Sequence, residues 1–282
     1  MATTAELREF LRSRRARLSP ADVNLPVRDE RRRVQGLRRE ELALLAGVSV
    51  DYYTRLEQGR ASNVSSQVLA AVAEALHLDP LERRHLFDLV RTASGPAVDL
   101  GSAERPRARP ALRMMLDALD PVPAVLHGPC LDVVTINRMG KVLLDDFTAP
   151  DVGRNMLRWM FLNPKARQVY PDWATIAEQM VAILRVTAGQ GMHDPYLGRL
   201  VDDLGARSPE FARFWADYRV YQHTHGTKRM HHPQVGIMTL NYESLVPPTD
   251  PGMWLILYSA ATGSPSEDKL KSLSEWADGT IR

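Results

Sequence analysis

Five side chains spaced along a predicted helix have the chemistry to read DNA: Val50, Asp51, Tyr52, Thr54 and Arg55. Together they offer hydrogen-bond donors, hydrogen-bond acceptors and apolar groups, which match what base edges present in the major groove. That groove admits an α-helix, so residues on one helix face can reach several bases at once. The segment from residue 50 to residue 58 is therefore predicted to be a recognition helix.

The residues before this segment predict how the helix is positioned. A preceding helix carries Leu42, Leu45 and Ala46 on one apolar face. Gly47 gives the turn a backbone freedom that a Cβ would oppose, and Ser49 can accept a hydrogen bond from the first N–H groups of the second helix. The buried seam between the helices is predicted at Val48, Tyr53 and Leu56. This pattern favours a helix-turn-helix of the DNA-binding type over a purely structural helical hairpin.

The stretch from Arg38 to Gly59 resembles the Xre/Cro-type helix-turn-helix regulators, whose usual form is T-Q-E-E-L-A, then G-V-S, then S-R-x-E-x-G. The matching residues are 38–43, 47–49 and 54–59. Arg39 replaces the usual Gln, which changes the kind of phosphate or base contact that this side chain can make. The predicted DNA-binding residues are Arg38, Arg39, Ser49, Val50, Asp51, Tyr52, Thr54, Arg55, Arg60 and Asn63, together with Arg31, Arg32 and Arg33.

Positive charge is concentrated at the front of the chain. The formal net charge is only +2, but eleven arginines and five acidic residues precede Glu40. Such a field attracts the phosphate backbone and makes binding sensitive to salt, although a solvated helix face beside a loop is the alternative. Arg31 to Arg33 are expected near phosphates or in a minor groove, or else on an exposed loop.

A length of 282 residues exceeds what a helix-turn-helix module needs, so two domains are expected. The predicted boundaries are 1–92 for the helix-turn-helix domain, 93–109 for a linker rich in glycine, proline and small residues, and 110–282 for a ligand-binding or dimerisation domain. The single cysteine, Cys130, excludes an internal disulfide and fits a reducing cytosol. With no signal peptide and no apolar run of about 20 residues, a cytoplasmic protein without a membrane partner is predicted.

The predicted fold is an all-α N-terminal domain of five helices followed by an α+β domain. In the second domain, β-type runs cover residues 122–126, 131–136, 235–245 and 253–260, and the last two are joined as a hairpin. Helical periodicity covers residues 112–119, 195–204, 209–218 and 266–276, with two more helices in 163–188 divided near Pro171. A small antiparallel sheet with helices on one side is expected.

The second domain resembles the ligand-binding domain of MmyB-like regulators in four segments: LDVVTINRMGKVLL, GRNMLRWMFLNPKARQVYPDWA, SPEFARFWADYRV and HHPQVGIMTLNYESL. The resemblance implies a PAS-like fold. It also implies a one-component transcription factor, in which a DNA-reading half is joined to an effector-sensing half. A small apolar effector is implied as well, with a fatty-acid-like ligand as one candidate and no other cofactor.

Aromatic and soft apolar residues are concentrated in the helices between the strands, as an apolar pocket requires. The same pattern is also typical of a plain hydrophobic core. The predicted ligand-binding residues are Asn137, Arg158, Phe161, Trp173, Arg185 and Trp215. Among them, Asn137, Arg158 or Arg185 is expected to meet a polar head group.

Four histidines within ten residues raise the question of a metal site: His223, His225, His231 and His232. No carboxylate or thiolate nearby in sequence completes a ligand set, so a polar loop over residues 222–230 is preferred, followed by a strand that His231 introduces. The motifs G-x-S-x-G, G-x-x-x-x-G-K-[ST] and H-E-x-x-H are absent, as is G-x-G-x-x-G after a strand. No metal site and no catalytic residue are predicted.

The hypothesis from sequence is a homodimeric, sequence-specific repressor that binds double-stranded DNA at a palindromic operator and responds to a small apolar effector. The rival hypothesis is a DNA-binding protein whose C-terminal half only dimerises or docks a protein partner. An enzyme fused to a DNA-binding domain is a third hypothesis, which the missing motifs disfavour.

Overall fold

The computed structural model describes residues 2–25, 36–61, 63–94, 107–150, 152–189, 195–221, 223–250 and 252–280. The chain divides into two compact units. The first comprises Met1–Leu100 with two later segments, Arg185–Asp194 and Trp215–Gln222, and the second comprises Gly101–Leu184, Pro195–Phe214 and His223–Arg282. Within the described ranges, every helix is too short or too polar to span a bilayer.

In the described residues before Leu100, the first unit contains five α-helices, as predicted. They are α1 (Ala2–Arg17), α2 (Arg39–Leu45), α3 (Val50–Glu57), α4 (Ser66–Ala75) and α5 (Pro80–Ser94), with a 3₁₀ turn at Ala21–Val23. Their apolar faces form one core, which includes Phe10, Leu11, Leu42, Tyr53, Leu56, Leu69, Val72, Leu86 and Leu89. Leu45, which the sequence pattern places in this core, is instead 37% exposed. The buried face of α2 is centred on Leu42 and Ala46, so Leu45 falls at its edge.

The second unit is built around a five-stranded antiparallel sheet. Its strands are β1 (Ala124–His127), β2 (Val133–Ile136), β3 (His225–His232), β4 (Gly236–Leu245) and β5 (Trp254–Ser259). Their spatial order is β2-β1-β5-β4-β3, and the four pairings between neighbours are antiparallel. The predicted α+β class and the hairpin between β4 and β5 are confirmed.

The described residues from 107 onward contain eight helices. They are α6 (Pro110–Ala118), α7 (Arg138–Leu143), α8 (Met156–Leu162), α9 (Lys165–Val169), α10 (Trp173–Gly189), α11 (Pro195–Arg207), α12 (Pro209–Ala216) and α13 (Pro265–Thr280). The break between α9 and α10 lies near Pro171, as predicted. The sequence pattern did not indicate α7 and α8, because helices of 6 and 7 residues are too short to show a clear period.

Strand β3 shows that the prediction of a polar loop over residues 222–230 was wrong. Its sequence, HGTKRMHH, has a single large apolar residue, so it lacks the alternation that marks a half-buried strand. The strand forms because it pairs along its whole length with β4, and because Lys228 and Met230 turn to the buried face.

The expectation of helices on one side of the sheet also needs correction. Helix α6 packs Leu112 and Leu116 against Leu126 of β1 and Leu255 of β5. Alternation along β5 puts Leu255 and Tyr258 on opposite faces. Since both residues are buried, the sheet is covered on both sides near β1 and β5.

Candidate functional site

Helix α3 begins and ends at residues whose conformations suit those positions. The Ser49 hydroxyl accepts a hydrogen bond from the Tyr52 N–H at 3.1 Å, which is the predicted N-cap. Gly47 and Gly59 both have φ of +65°, in the left-handed region that glycine adopts without strain. A methyl group on Gly59 would lie 2.3 Å from the side chain of Thr4. The ends of α3 are therefore fixed by local chemistry and by close packing on α1.

The outward face of α3 carries the residues predicted to read DNA. Val50, Asp51 and Arg55 are exposed, and Tyr52 and Thr54 are half-buried. Arg55 lies 3.4 Å from Asp51, one helical turn earlier, and its guanidinium carbon is 5.9 Å from the centroid of the Tyr52 ring. Because exposed ion pairs contribute little stability, Arg55 can exchange Asp51 for a base edge or a phosphate at small cost.

A buried carboxylate fixes the inner side of α3. Glu57 is 1% exposed and accepts hydrogen bonds from Arg15 at 3.1 Å and from Arg39 at 2.9 and 2.6 Å. Arg15 also donates to the Leu37 carbonyl at 2.6 Å. These contacts join α1, the start of α2 and the end of α3. Sequence reasoning missed the role of Arg15, although an acid directly after the buried Leu56 was a signal for a buried cation partner.

The remaining predicted DNA-binding residues flank the two helices. The Arg39 side chain is 44% exposed but is engaged with Glu57, so it supports α3 from the inner side. The Arg38 N–H donates to Glu41 at 2.6 Å at the start of α2. Arg60 and Asn63 are exposed shortly after α3. Residues Arg31, Arg32 and Arg33 lie outside the described residues.

The aromatic residues expected to line a pocket pack against one another in the second unit. The Phe161 ring centroid lies 5.7 Å from that of Trp173, 5.2 Å from that of Phe211 and 6.3 Å from that of Phe214. The Trp173 indole N–H donates to the Met160 carbonyl at 2.9 Å. Phe161 and Trp173 are thus brought together, in edge-to-face contacts that suit a core or an apolar pocket wall.

Two polar candidates of the second unit are already engaged by the protein. Asn137 is 1% exposed; its Oδ1 accepts from two backbone N–H groups and its Nδ2 donates to two backbone carbonyls, at 2.8 to 3.3 Å. Arg158 forms an ion pair with Asp203. These contacts hold β1, α7 and α8 in place, and they occupy the groups that were expected to meet a ligand.

Arg185 and Trp215 contact each other in the first unit. Arg185 is 1% exposed and donates to the Trp215 carbonyl. The guanidinium carbon of Arg185 lies 3.9 Å from the Trp215 ring centroid and 4.0 Å from that of Tyr218. Arg185 also forms an ion pair with Glu6 of α1, with Nη1 and Oε1 3.9 Å apart. The six predicted ligand-binding residues are therefore divided between the two units.

A buried cation in the sheet was missed by sequence reasoning. Lys228 is 4% exposed, and its ammonium lies 2.8 Å from His223 Nε2 and 4.4 Å from the centroid of the Tyr242 ring. The His223 ring is stacked on Tyr242 with centroids 4.0 Å apart. The position of Lys228 could be recognised only after β3 was known to be a strand, because alternation decides which of its residues point inward.

The surroundings of Lys228 keep two neighbouring histidines, His223 and His127, neutral. Burial lowers the pKa of Lys228 to about 7. Burial, and then the charge on Lys228, lower the pKa of His223 to about 2 and that of the buried His127 to about 4. A neutral His223 can accept a hydrogen bond from the Lys228 ammonium through Nε2.

We expect the wild type to become more stable as the pH rises from about 7 to about 9. The variant Lys228→Met should not show this increase in stability. The unfolded lysine has a pKa near 10.4 and the folded one about 7, so the unfolded state binds the additional proton in this window. The wild type should gain at most about 1.4 kcal/mol of stability per pH unit as the pH rises. Urea unfolding followed by tryptophan fluorescence measures this dependence.

The control for this pH series is Lys271→Met, because the Lys271 side chain is 65% exposed. This variant should follow the wild type at every pH. An equal pH dependence in Lys228→Met and the wild type would show that the charge on Lys228 is not penalised in the folded state.

The other three histidines that were considered as a metal site, His225, His231 and His232, lie in β3. The His232 ring meets the Trp276 ring edge-on, with centroids 5.7 Å apart. Over the ranges that the structure describes, no three His, Cys, Asp or Glu side chains cluster so as to hold a metal ion.

Family models match both parts of the chain. A helix-turn-helix domain model matches residues 6–86, which include most of α1, all of α2 to α4 and part of α5. The model described as MmyB-like transcription regulator ligand binding domain matches residues 108–273, more than half of the chain. No curated protein matches the chain. The chain therefore belongs to the MmyB-like transcription regulators, with a helix-turn-helix domain that binds DNA followed by a ligand-binding domain.

Proposed function

We propose that this protein is a cytoplasmic, homodimeric, sequence-specific repressor whose affinity for DNA is set by a small apolar effector. The observation that carries the proposal is the exposed face of α3, with Val50, Asp51 and Arg55 outward, in a chain that also matches a ligand-binding family. A fatty-acid-like molecule is the candidate effector, since the cluster around Phe161 supplies apolar and aromatic surface. No other cofactor is proposed.

Two copies of α3 are proposed to read a palindromic operator in double-stranded DNA. Half-sites on one face of the duplex lie about 34 Å apart, so each copy reads one half-site. Support for a homodimer comes from α6, where Met114 and Met115 are 72% and 53% exposed. These two side chains give α6 exposed apolar surface, and we assign that surface to a contact with a second copy of the chain.

The proposed regulation acts through α10, which begins in the second unit and ends in the first. At its C-terminal end Arg185 contacts the Tyr218 ring, and Arg14 of α1 donates to the Tyr218 carbonyl at 2.6 Å. A ligand that favours one position of α10 therefore biases α1, which holds α3 through Arg15 and Glu57. A changed spacing of the two recognition helices lowers the affinity for the operator.

Native mass spectrometry of the full-length protein, followed by denaturing extraction, tests the proposal. A dimer carrying a lipid-sized adduct is the expected result. A bare dimer would favour the rival function, in which the second domain only dimerises or docks a protein partner. Turnover of the extracted compound would instead indicate an enzyme.

A further inference from the structure

Two kinds of surface lie side by side on the outward face of α3. Asp51 and Arg55 are one helical turn apart and form an exposed ion pair at 3.4 Å. Val50 and Thr54 have the same spacing, one residue earlier, and form a neighbouring stripe. The first stripe carries charges and hydrogen-bonding groups, whereas the second is mainly apolar. The two stripes should therefore contact different chemical groups of a base pair.

Val50 is apolar at a position where the fold does not need an apolar residue. It is the first residue of α3 and is 47% exposed. Among the described apolar residues, Val48 packs against the core of the first unit and Val50 does not. Valine is also a poorer helix former than alanine, leucine or glutamate. Neither core packing nor helix propensity therefore accounts for a valine at residue 50.

The hydroxyl of Thr54 is already used within the helix. It donates to the Val50 carbonyl at 2.7 Å. Because a threonine hydroxyl has a single hydrogen, this bond leaves Thr54 no donor for a base edge. The methyl group of Thr54 instead extends the apolar surface that Val50 begins.

Val50 is placed where a recognition helix reaches base edges. The N-terminal residues of such a helix make the base contacts in the major groove. Ser49 sets this end of α3 by accepting a hydrogen bond from the Tyr52 N–H. Since the Cα–Cβ bonds of a helix tilt towards its N-terminus, the Val50 side chain extends towards that end and not back along the helix.

Thymine is the base that offers an apolar group in the major groove. Its 5-methyl group projects there, while the other base edges present donors and acceptors. A valine over a donor or acceptor would displace its water without offering a hydrogen bond, which costs free energy. A valine over a thymine methyl group would bury apolar surface on both molecules. The stripe of Val50 and Thr54 therefore favours thymine over cytosine at the same position.

We propose that Val50, assisted by Thr54, reads the 5-methyl group of a thymine in each operator half-site. Val50 then determines sequence specificity through an apolar contact, separately from any hydrogen bond that Arg55 makes. Removing the methyl group from that thymine should weaken binding even though every hydrogen bond of the base pair is kept. The inference rests on the proposed function, because it names a base that the proposed recognition helix reads.

Replacing the thymines of the operator by deoxyuridine, one at a time, tests the inference because only the 5-methyl group is removed. The operator is selected from random duplex DNA with the full-length protein, and affinity is measured by fluorescence anisotropy. The wild type should bind about 3- to 10-fold more weakly when one particular thymine of a half-site is replaced, as the burial of one methyl group implies. Thymines outside the half-sites should tolerate the replacement.

The variants Val50→Ser and Thr54→Ser remove methyl groups from the protein instead. Thr54→Ser keeps the hydroxyl that donates to the Val50 carbonyl. In Val50→Ser the operator and its deoxyuridine form should bind with the same affinity, and in Thr54→Ser the difference between them should become smaller. The control is Leu44→Ala, which shortens an exposed apolar side chain of α2. This variant should keep the full preference for thymine.

Each outcome decides a separate point. If no deoxyuridine weakens wild-type binding, or if the loss is the same in Val50→Ser, the role of Val50 is overturned while sequence-specific binding stands. An unchanged loss in Thr54→Ser would overturn the part given to Thr54. A selection that yields no preferred sequence would overturn the proposed function and the inference with it. If circular dichroism shows that Val50→Ser does not fold, Val50→Ala takes its place and should show a smaller loss than the wild type.

Discussion

Replacing Glu57 by Gln is expected to destabilise the helix-turn-helix by about 3 to 5 kcal/mol, the cost of removing one partner from a buried ion pair. The substitution keeps the size of the side chain, so the loss does not arise from a cavity. It leaves the guanidinium groups of Arg15 and Arg39 facing a neutral amide, and the Arg15 side chain is only 12% exposed. Urea unfolding of the full chain, followed by circular dichroism, measures the change.

DNA binding should be lost together with this stability. The end of α3 is attached to α1 and α2 through Glu57, so its recognition face would no longer be held in one orientation. The matched control is Glu40→Gln on α2. The Glu40 side chain is 63% exposed, and its carboxylate lies 3.5 Å from the guanidinium of Arg38. This exposed pair should cost less than about 1 kcal/mol. Equal effects of the two substitutions would contradict the role given to the buried carboxylate.

Replacing Arg55 by Ala is expected to weaken binding to a specific operator by about 10- to 100-fold, which corresponds to the loss of one base contact. Binding to random duplex DNA should change by less than about threefold, because non-specific affinity comes from the phosphates. Fluorescence anisotropy with the operator and with random DNA at several salt concentrations measures both quantities. The slope of log affinity against log salt should stay unchanged for the operator.

The control for Arg55 is Arg91→Ala, an equally charged substitution on α5 at a side chain that is 74% exposed. It should leave the ratio of specific to non-specific affinity unchanged. If Arg55→Ala weakens both kinds of binding equally and lowers the salt slope by about one, Arg55 contacts only phosphate.

The features that sequence reasoning predicted well depend on local chemistry. The turn at Gly47 and the cap at Ser49 each involve residues a few positions apart, and the structure contains both. Because the N-terminal end of α3 is set by such local signals, its outward face could be listed from the sequence alone.

Features that depend on distant partners could not be predicted in this way. Arg15 and Glu57 are 42 positions apart, and nothing in the local pattern of either residue names the other. Arg39 matches a family position expected to contact DNA, yet it donates to Glu57. Strand β3 is polar in sequence and exists through its pairing with β4, so the buried position of Lys228 was also hidden.

The most direct test of ligand-controlled DNA binding compares the operator affinity of the full-length protein as purified and after delipidation. The operator is first selected from a pool of random duplexes. The affinities should differ by at least about tenfold, a coupling of ordinary size between two binding sites. Adding back the extracted compound should restore the original value. Identical affinities in the two states, with the compound shown to rebind, would contradict control of DNA binding by the ligand.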